Sequence, residues 1–277
     1  MLRLLTIEFH KLRHNTASKV LTIIYFGLLT CIALIAAIKF EWGSFKIHFA
    51  DDGFFNFPYI WHFNTYVAAT FKFFLLLVIV SMMSNEYSYK TLKQNLIDGL
   101  SKKEFILSKF YTVVTFAGFS TLFVFIVSLV LGLIYSDFDE LGIIFSGLEY
   151  FVGFFIKLVG FFSFGLFLGI LVKRSAFAIG AMFIWYIIEW VIFGLLGWKF
   201  VSWNTAQNIK NFFPLEAMSN LIKEPGTRFN AVKTVVTLIN DGFTKNYDVQ
   251  ILDVLIVCIW TFIFIYGSFR LLKKRDL

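Results

Sequence analysis

Nowhere in the 277 residues does G-x-x-x-x-G-K-[ST] occur, so the chain has no Walker loop of its own to cradle nucleotide phosphates. H-E-x-x-H and G-x-S-x-G are missing too, which removes the usual marks of a zinc protease and a serine hydrolase. His10 and His14 stand i, i+4, yet no third ligand lies near them in the sequence, so a solvated polar face is expected and no metal site. The two cysteines, Cys31 and Cys258, each sit in an apolar run. A thiol there is a small hydrophobe, and no disulfide framework follows. The three prolines all fall outside the apolar runs, so matched broken helices of the kind that mark secondary transporters are not indicated. Charge is scarce: 16% of residues, against about a quarter in a soluble domain.

What fills the chain instead is grease. Hydrophobic residues reach 58%, phenylalanine alone contributes 38, and mean hydropathy is +0.77. Apolar runs cover 20–39, 63–84, 110–134, 150–172, 176–197 and 249–269, each meeting the requirement of about 20 residues for a helix that crosses a bilayer. The expected fold is an all-α integral membrane protein, one domain over 1–277 with six spans. The first run is too long for a signal core and no small-residue cleavage motif follows, so it reads as a retained span.

Cations set the orientation. With the N-terminus inside, short inner segments hold fifteen Lys and Arg and outer segments eight, six of these in the long segment 198–248. Long loops count less, so both termini are expected in the cytoplasm. The net charge of +7 thus reads as topology, not nucleic-acid binding. Residues 1–18 read as an interfacial helix, with Leu2, Leu5, Phe9 and Leu12 on one face. The aromatic outer loop 40–62, with Phe54, Phe55, Phe57, Tyr59 and Trp61, is expected at headgroup level. Asp137, Asp139 and Glu140 read as a solvated acidic loop. In 198–248 two short outer helices are expected, one opened by Pro214 and one carrying Val232, Val235, Val236 and Ile239.

The most informative inner segment is 85–109. Tyr89, Leu92 and Leu96 fall at i, i+3, i+7, a short amphipathic helix. Gly99 suits a left-handed helix stop. Ser101 and Glu104 make an S-x-x-E capping box for a second helix. The segment reads as a firm elbow at the membrane surface, able to pass force into the spans. Within the spans, Lys72, Lys157 and Glu189 lie at about the same depth, roughly 12 Å from the outer end at 1.5 Å per residue. Intramembrane charge is a functional hypothesis by default. Pairing of Glu189 with Lys157 or Lys72 is expected; separate snorkelling, or a substrate or proton role, are the other readings.

In layout and in a few motifs the chain resembles the permease subunits of type-2 ABC exporters, the group that includes bacitracin- and lantibiotic-resistance permeases. The resemblance rests on Glu86, Thr91, Leu92, Leu100-Ser101-Lys102 and Lys109 around the elbow, on Asn211-Phe212-Phe213-Pro214-Leu215 outside, and on Phe269-Arg270 and Lys274-Arg275-Asp276-Leu277 at the tail. Lys90 stands where the family carries glycine. The resemblance implies a non-catalytic permease at the plasma membrane, paired with a second copy or a paralogue. Each half would rest on a separate ABC ATPase that holds ATP and Mg, leaving no cofactor on this chain. Residues 86–98 would be the coupling helix, with Glu86, Tyr89, Lys90, Thr91, Leu92, Lys93, Leu96, Ser101 and Glu104 as the ATPase-coupling residues. Lys173 and Arg174, in the hairpin 173–175, would be a second contact. The implied cargo is an amphiphile: a drug, peptide or lipid-like molecule. A stand-alone channel or ion-coupled carrier is the alternative, and a membrane enzyme or scaffold has little support.

Overall fold

The computed structural model describes residues 2–38, 40–42, 45–47, 53–226 and 246–275. The helices are α1 (Leu2–His14), α2 (Thr16–Ala37), α3 (Tyr59–Thr70), α4 (Lys72–Ser88), α5 (Thr91–Ile97), α6 (Lys102–Tyr135), α7 (Leu141–Ile144), α8 (Glu149–Val172), α9 (Ser175–Leu195), α10 (Trp203–Lys210), α11 (Pro214–Asn220) and α12 (Ile251–Lys274). Among the described residues five helical stretches are long and apolar enough to cross a membrane, or six if α3 and α4, bent by 44°, count as one span. One departure from an all-α chain is a two-stranded antiparallel ribbon, β1 (Phe40–Trp42) on β2 (Phe45–Ile47), with Phe40 opposite Ile47. Its Phe, Trp and Ile residues favour extended backbone. Asp51, Asp52 and the helix expected at Val232, Val235, Val236 and Ile239 lie outside the described residues, as do Asp276 and Leu277.

Helix α8 is the axis of the bundle. It is buried over most of its length and packs on α3, α4, α6, α9 and α12. Two glycines let neighbours come close. A Cβ at Gly165 would strike Leu76 of α4, and one at Gly160 would strike Val257 of α12. Small residues at such crossings replace hydrophobic drive with close van der Waals contact, the means by which helices associate in lipid. Phe164 and Phe264 extend the α8–α12 seam, their rings 4.7 Å apart.

The second span is expected to be continuous, and it is not. The helix stops at Thr70, Phe71 sits between the halves with φ −87° and ψ 1°, and Lys72 is the first residue of α4. No proline is involved. Tight i→i−3 bonds, Phe71 N–H to the Ala68 carbonyl at 3.2 Å and Phe74 N–H to the Phe71 carbonyl at 3.1 Å, carry the chain round the bend.

The aromatic outer loop also differs from expectation. Phe55, Phe57 and Trp61 are fully buried inside the protein rather than set at the headgroups. The reason is that the protein offers them better partners. Gly132 of α6 leaves room for the Phe57 ring, and the Trp61 indole N–H donates to the Ile144 carbonyl at 2.8 Å. An indole whose N–H has a partner can be buried whole. The acidic stretch nearby is tied down by Asn56, which donates to Asp137 through its amide and accepts from the Asp137 N–H, both at 3.1 Å. In the outer segment, α9 runs into a π-helical turn (Leu196–Phe200), then α10 and α11 follow. Pro214 sits at the first position of α11, where its missing N–H costs nothing. α10 was not expected from the sequence. Its apolar positions are only Trp203, Ala206 and Ile209, and its start depends on Ser202, whose hydroxyl accepts from the Thr205 N–H.

Candidate functional site: the elbow and its buried clamp

The elbow forms by stops and starts written in the chain. α4 ends at Ser88, Tyr89 closes it, and Lys90 turns the chain in the left-handed region at φ 56°. A non-glycine residue there carries a cost of roughly 1–2 kcal/mol. α5 therefore spans only Thr91–Ile97, shorter than the helix expected over 86–98. Tyr89 is not on its apolar face; it caps the preceding helix and is 74% exposed. The far end of α5 closes as a Schellman motif. The Leu100 N–H donates to the Asn95 carbonyl at 3.0 Å and the Gly99 N–H to the Leu96 carbonyl at 3.2 Å, with Gly99 at φ 94°. Ser101 at once begins α6. Its hydroxyl accepts from the Glu104 N–H at 3.1 Å, and its own N–H donates to the Glu104 carboxylate at 2.9 Å. Only the four residues 98–101 separate α5 from α6, which leaves little slack.

Beneath the elbow lies a clamp of four charges from three helices. Glu86 of α4 accepts from Lys109 of α6 at 2.6 Å and from Lys11 of α1 at 2.9 Å. Lys109 also donates to Glu8 of α1 at 2.6 Å. The second oxygen of Glu86 accepts from the Thr91 hydroxyl at 2.6 Å and the Asn95 amide at 3.3 Å, both on α5. Glu8, Glu86 and Lys109 are buried, Lys109 completely. Two carboxylates and two ammoniums sum to zero, and each buried group is met by hydrogen bonds. Those are the terms on which charge survives burial. Leu92, also buried, packs α5 onto the same base.

Glu86 is not on the exposed surface of the elbow. It faces inward, because its carboxylate is the acceptor that gathers α1, α5 and α6. Thr91 and Leu92 belong to the same interior. Tyr89, Lys90, Lys93 and Ile97 make the outer surface of the elbow, Ile97 being 76% exposed. Ser101 and Glu104 form the cap of α6.

Hairpin 173–175 meets the elbow through Tyr87. Lys173, left-handed at φ 65°, places its amine over the Tyr87 ring at 5.8 Å. Arg275 donates to the Tyr87 hydroxyl at 3.1 Å and to the backbone carbonyls of Ile170 and Leu171. Lys102 in turn donates to the Arg275 carbonyl at 3.0 Å. Arg174 is extended and opens α9. Both chain ends therefore close on the same end of the bundle as the elbow.

Glu8 escaped sequence reasoning, although a signal was there. It lies three residues after Leu5 and four before Leu12, a lone acid on the apolar face of α1. α1 packs into the bundle: Phe9 stacks on Phe116 of α6 at 5.8 Å, and Glu8 reaches Lys109. His10 and His14 remain exposed, with His14 Nδ1 2.9 Å from the His10 carbonyl oxygen. Among the described residues no group of three metal-ligating side chains occurs.

The intramembrane trio is not an ion pair. Glu189 accepts from the Trp185 indole at 2.9 Å and from the Leu215 N–H at 3.1 Å, at the start of α11. That free N–H of a helix start, helped by the helix dipole, satisfies the carboxylate where an ammonium was expected. Lys157 turns to the Ser219 and Ile222 carbonyls, each at 3.4 Å. Lys72 lies over the Phe161 ring at 4.7 Å.

Compared with known families, residues 4–189 match the model of the ABC-2 family transporter proteins. The match is to that family at large and singles out no antibiotic-resistance branch. No curated protein matches the chain.

Proposed function

The chain belongs to the ABC-2 transporter family and is a multi-pass permease subunit of an ABC transporter; from that premise we propose that it is the membrane half of an exporter. A separate ABC ATPase, holding ATP and Mg, docks on the elbow at the cytoplasmic face of the cell membrane, where both termini lie. Two six-span halves, identical or different, then carry an amphiphile out of the cytoplasm or the inner leaflet.

One observation supports the reading above the rest: α5 is joined to α1, α4 and α6 by the buried clamp of Glu8, Lys11, Glu86 and Lys109. A push on the exposed Tyr89, Lys93 and Ile97 face has nowhere to dissipate. The Schellman stop and the capping box fix α5 to α6, and the clamp fixes both to α1 and α4. The unsupported alternative, an elbow that hangs free, would absorb the displacement. The chemistry of hydrolysis falls to the partner, since this chain carries no Walker loop.

The test uses a deletion strain screened for sensitivity to drugs and antimicrobial peptides. The wild-type chain should restore resistance, whereas Glu86→Ala and Leu92→Asp should not, at equal membrane insertion. Ile97→Asp and Lys93→Glu, both at exposed positions, should lower copurification of the ATPase without loss of stability. Full resistance in both interior variants, together with unchanged copurification in both surface variants, would refute the coupling role.

A further inference from the structure

A second group of charges lies in the outer half of the bundle, and the coupling mechanism does not use it. Lys72 and Lys157 line one cavity of about 300 Å³ between α4, α8, α9 and α11, walled by Phe161 and other apolar side chains, with no acidic residue among the described residues of its lining. Lys157 is buried, and its two acceptors, at 3.4 Å, are well beyond the roughly 2.7–2.9 Å of a charge-assisted hydrogen bond. Lys72 has rings for neighbours, Phe161 at 4.7 Å and Phe73 at 5.6 Å. Glu189, the nearest candidate counter-ion by depth, is engaged by Trp185 and the start of α11. Two amines facing one apolar cavity without a carboxylate in its described lining form a site that an anion would complete, by holding both in the charged form.

The cavity also has a door on the lipid side. Phe73 of α4 and Phe183 of α9 are parallel, 6.2 Å apart. Both are exposed on the outer surface of the bundle. A volume of this size, at the low end of ligand sites, holds a head group and leaves a hydrocarbon tail to lie against the exposed faces of the two rings toward the bilayer. Resting on the exporter reading, we propose that Lys72 and Lys157 bind the anionic head of the amphiphile this protein handles, and that Phe73 and Phe183 flank its tail. Charge complementarity selects the head, and the aromatic pair selects a molecule with a tail over a free anion.

The test is direct binding to the full chain in phosphatidylcholine nanodiscs, read without ATP. The probes are phosphatidylglycerol and phosphatidylcholine bearing the same tail fluorophore. Wild type should bind the anionic probe at least tenfold more tightly than the zwitterionic one. Lys72→Gln and Lys157→Met should each weaken anionic binding roughly tenfold, the scale of one charge-assisted hydrogen bond. Lys157→Arg, which keeps the charge, should retain most of it. Equal affinity for the two probes, or unchanged affinity in both Lys72→Gln and Lys157→Met, would overturn the proposal. So would displacement of the probe by inorganic phosphate as effectively as by unlabelled phosphatidylglycerol, since the ligand would then be a free anion. Coupling and binding fail separately here: Glu86→Ala should leave head-group preference intact, and the lysine variants should leave ATPase copurification intact.

Discussion

Two sets of charge within the bundle divide this molecule, and they obey opposite rules. At the elbow end, Glu8, Lys11, Glu86 and Lys109 are matched in number and held at 2.6–2.9 Å. In the opposite half, Lys72 and Lys157 share a cavity with rings and distant carbonyls. The difference teaches what each set is for. A matched, saturated network resists change and fixes neighbouring helices; an unmatched one holds a site open for an outside partner.

The contrast is broken most severely by removing the cation each set depends on. Lys109→Met leaves Glu8 and Glu86 facing one another in the interior and should cost about 3–5 kcal/mol, the scale of an orphaned buried charge. Lys157→Met removes a cation without a carboxylate and should leave stability unchanged or raised. Thermal unfolding of the two variants in one detergent checks this, and equal destabilisation would erase the distinction. A smaller effect should come from Glu8→Gln, which keeps the shape but loses the charge on one side of Lys109. About 1–3 kcal/mol is expected, with strong non-additivity against Glu86→Gln in a double-mutant cycle. Next comes Ser101→Ala, which unmakes the capping box beside the clamp. About 1 kcal/mol is expected, seen as faster amide exchange in the first turn of α6 while the clamp persists. Smallest of all should be Lys210→Gln. Its pair with Glu216 at 2.9 Å lies in the outer segment with both partners partly exposed, so about 0–1 kcal/mol is expected. A larger loss there would mean that position, and not burial, governs the value of charge in this protein.

Much of the elbow was legible because its signals are local. Gly99 stops a helix and the pair Ser101 and Glu104 starts one through backbone groups only a few residues away. The clamp was half legible. Glu86 and Lys109 stood out within the elbow by resemblance, but their partner Glu8 is 101 residues from Lys109, and a lone acid on an apolar helix face says only that it needs a partner. The trio of Lys72, Lys157 and Glu189 was found by depth, and depth alone misassigned the pairing. It gives height in the bilayer but not the rotation of each helix about its axis. The buried Phe55, Phe57 and Trp61 were misplaced for a related reason. An aromatic loop suits the headgroups equally well until Gly132 and the Ile144 carbonyl offer it an interior.

By itself the sequence determined the helical membrane body, the number of apolar runs, and the helix stop and start at Gly99 and Ser101. These depend on composition, period and bonds within one turn, which a linear chain contains in full. Only the tertiary structure decided that Glu86 faces inward, that the second span bends at Phe71, and that Lys157 looks to α11 and away from Glu189. Those outcomes depend on which face each helix turns to its neighbours, and that rotation is set by packing all the helices around α8 at once.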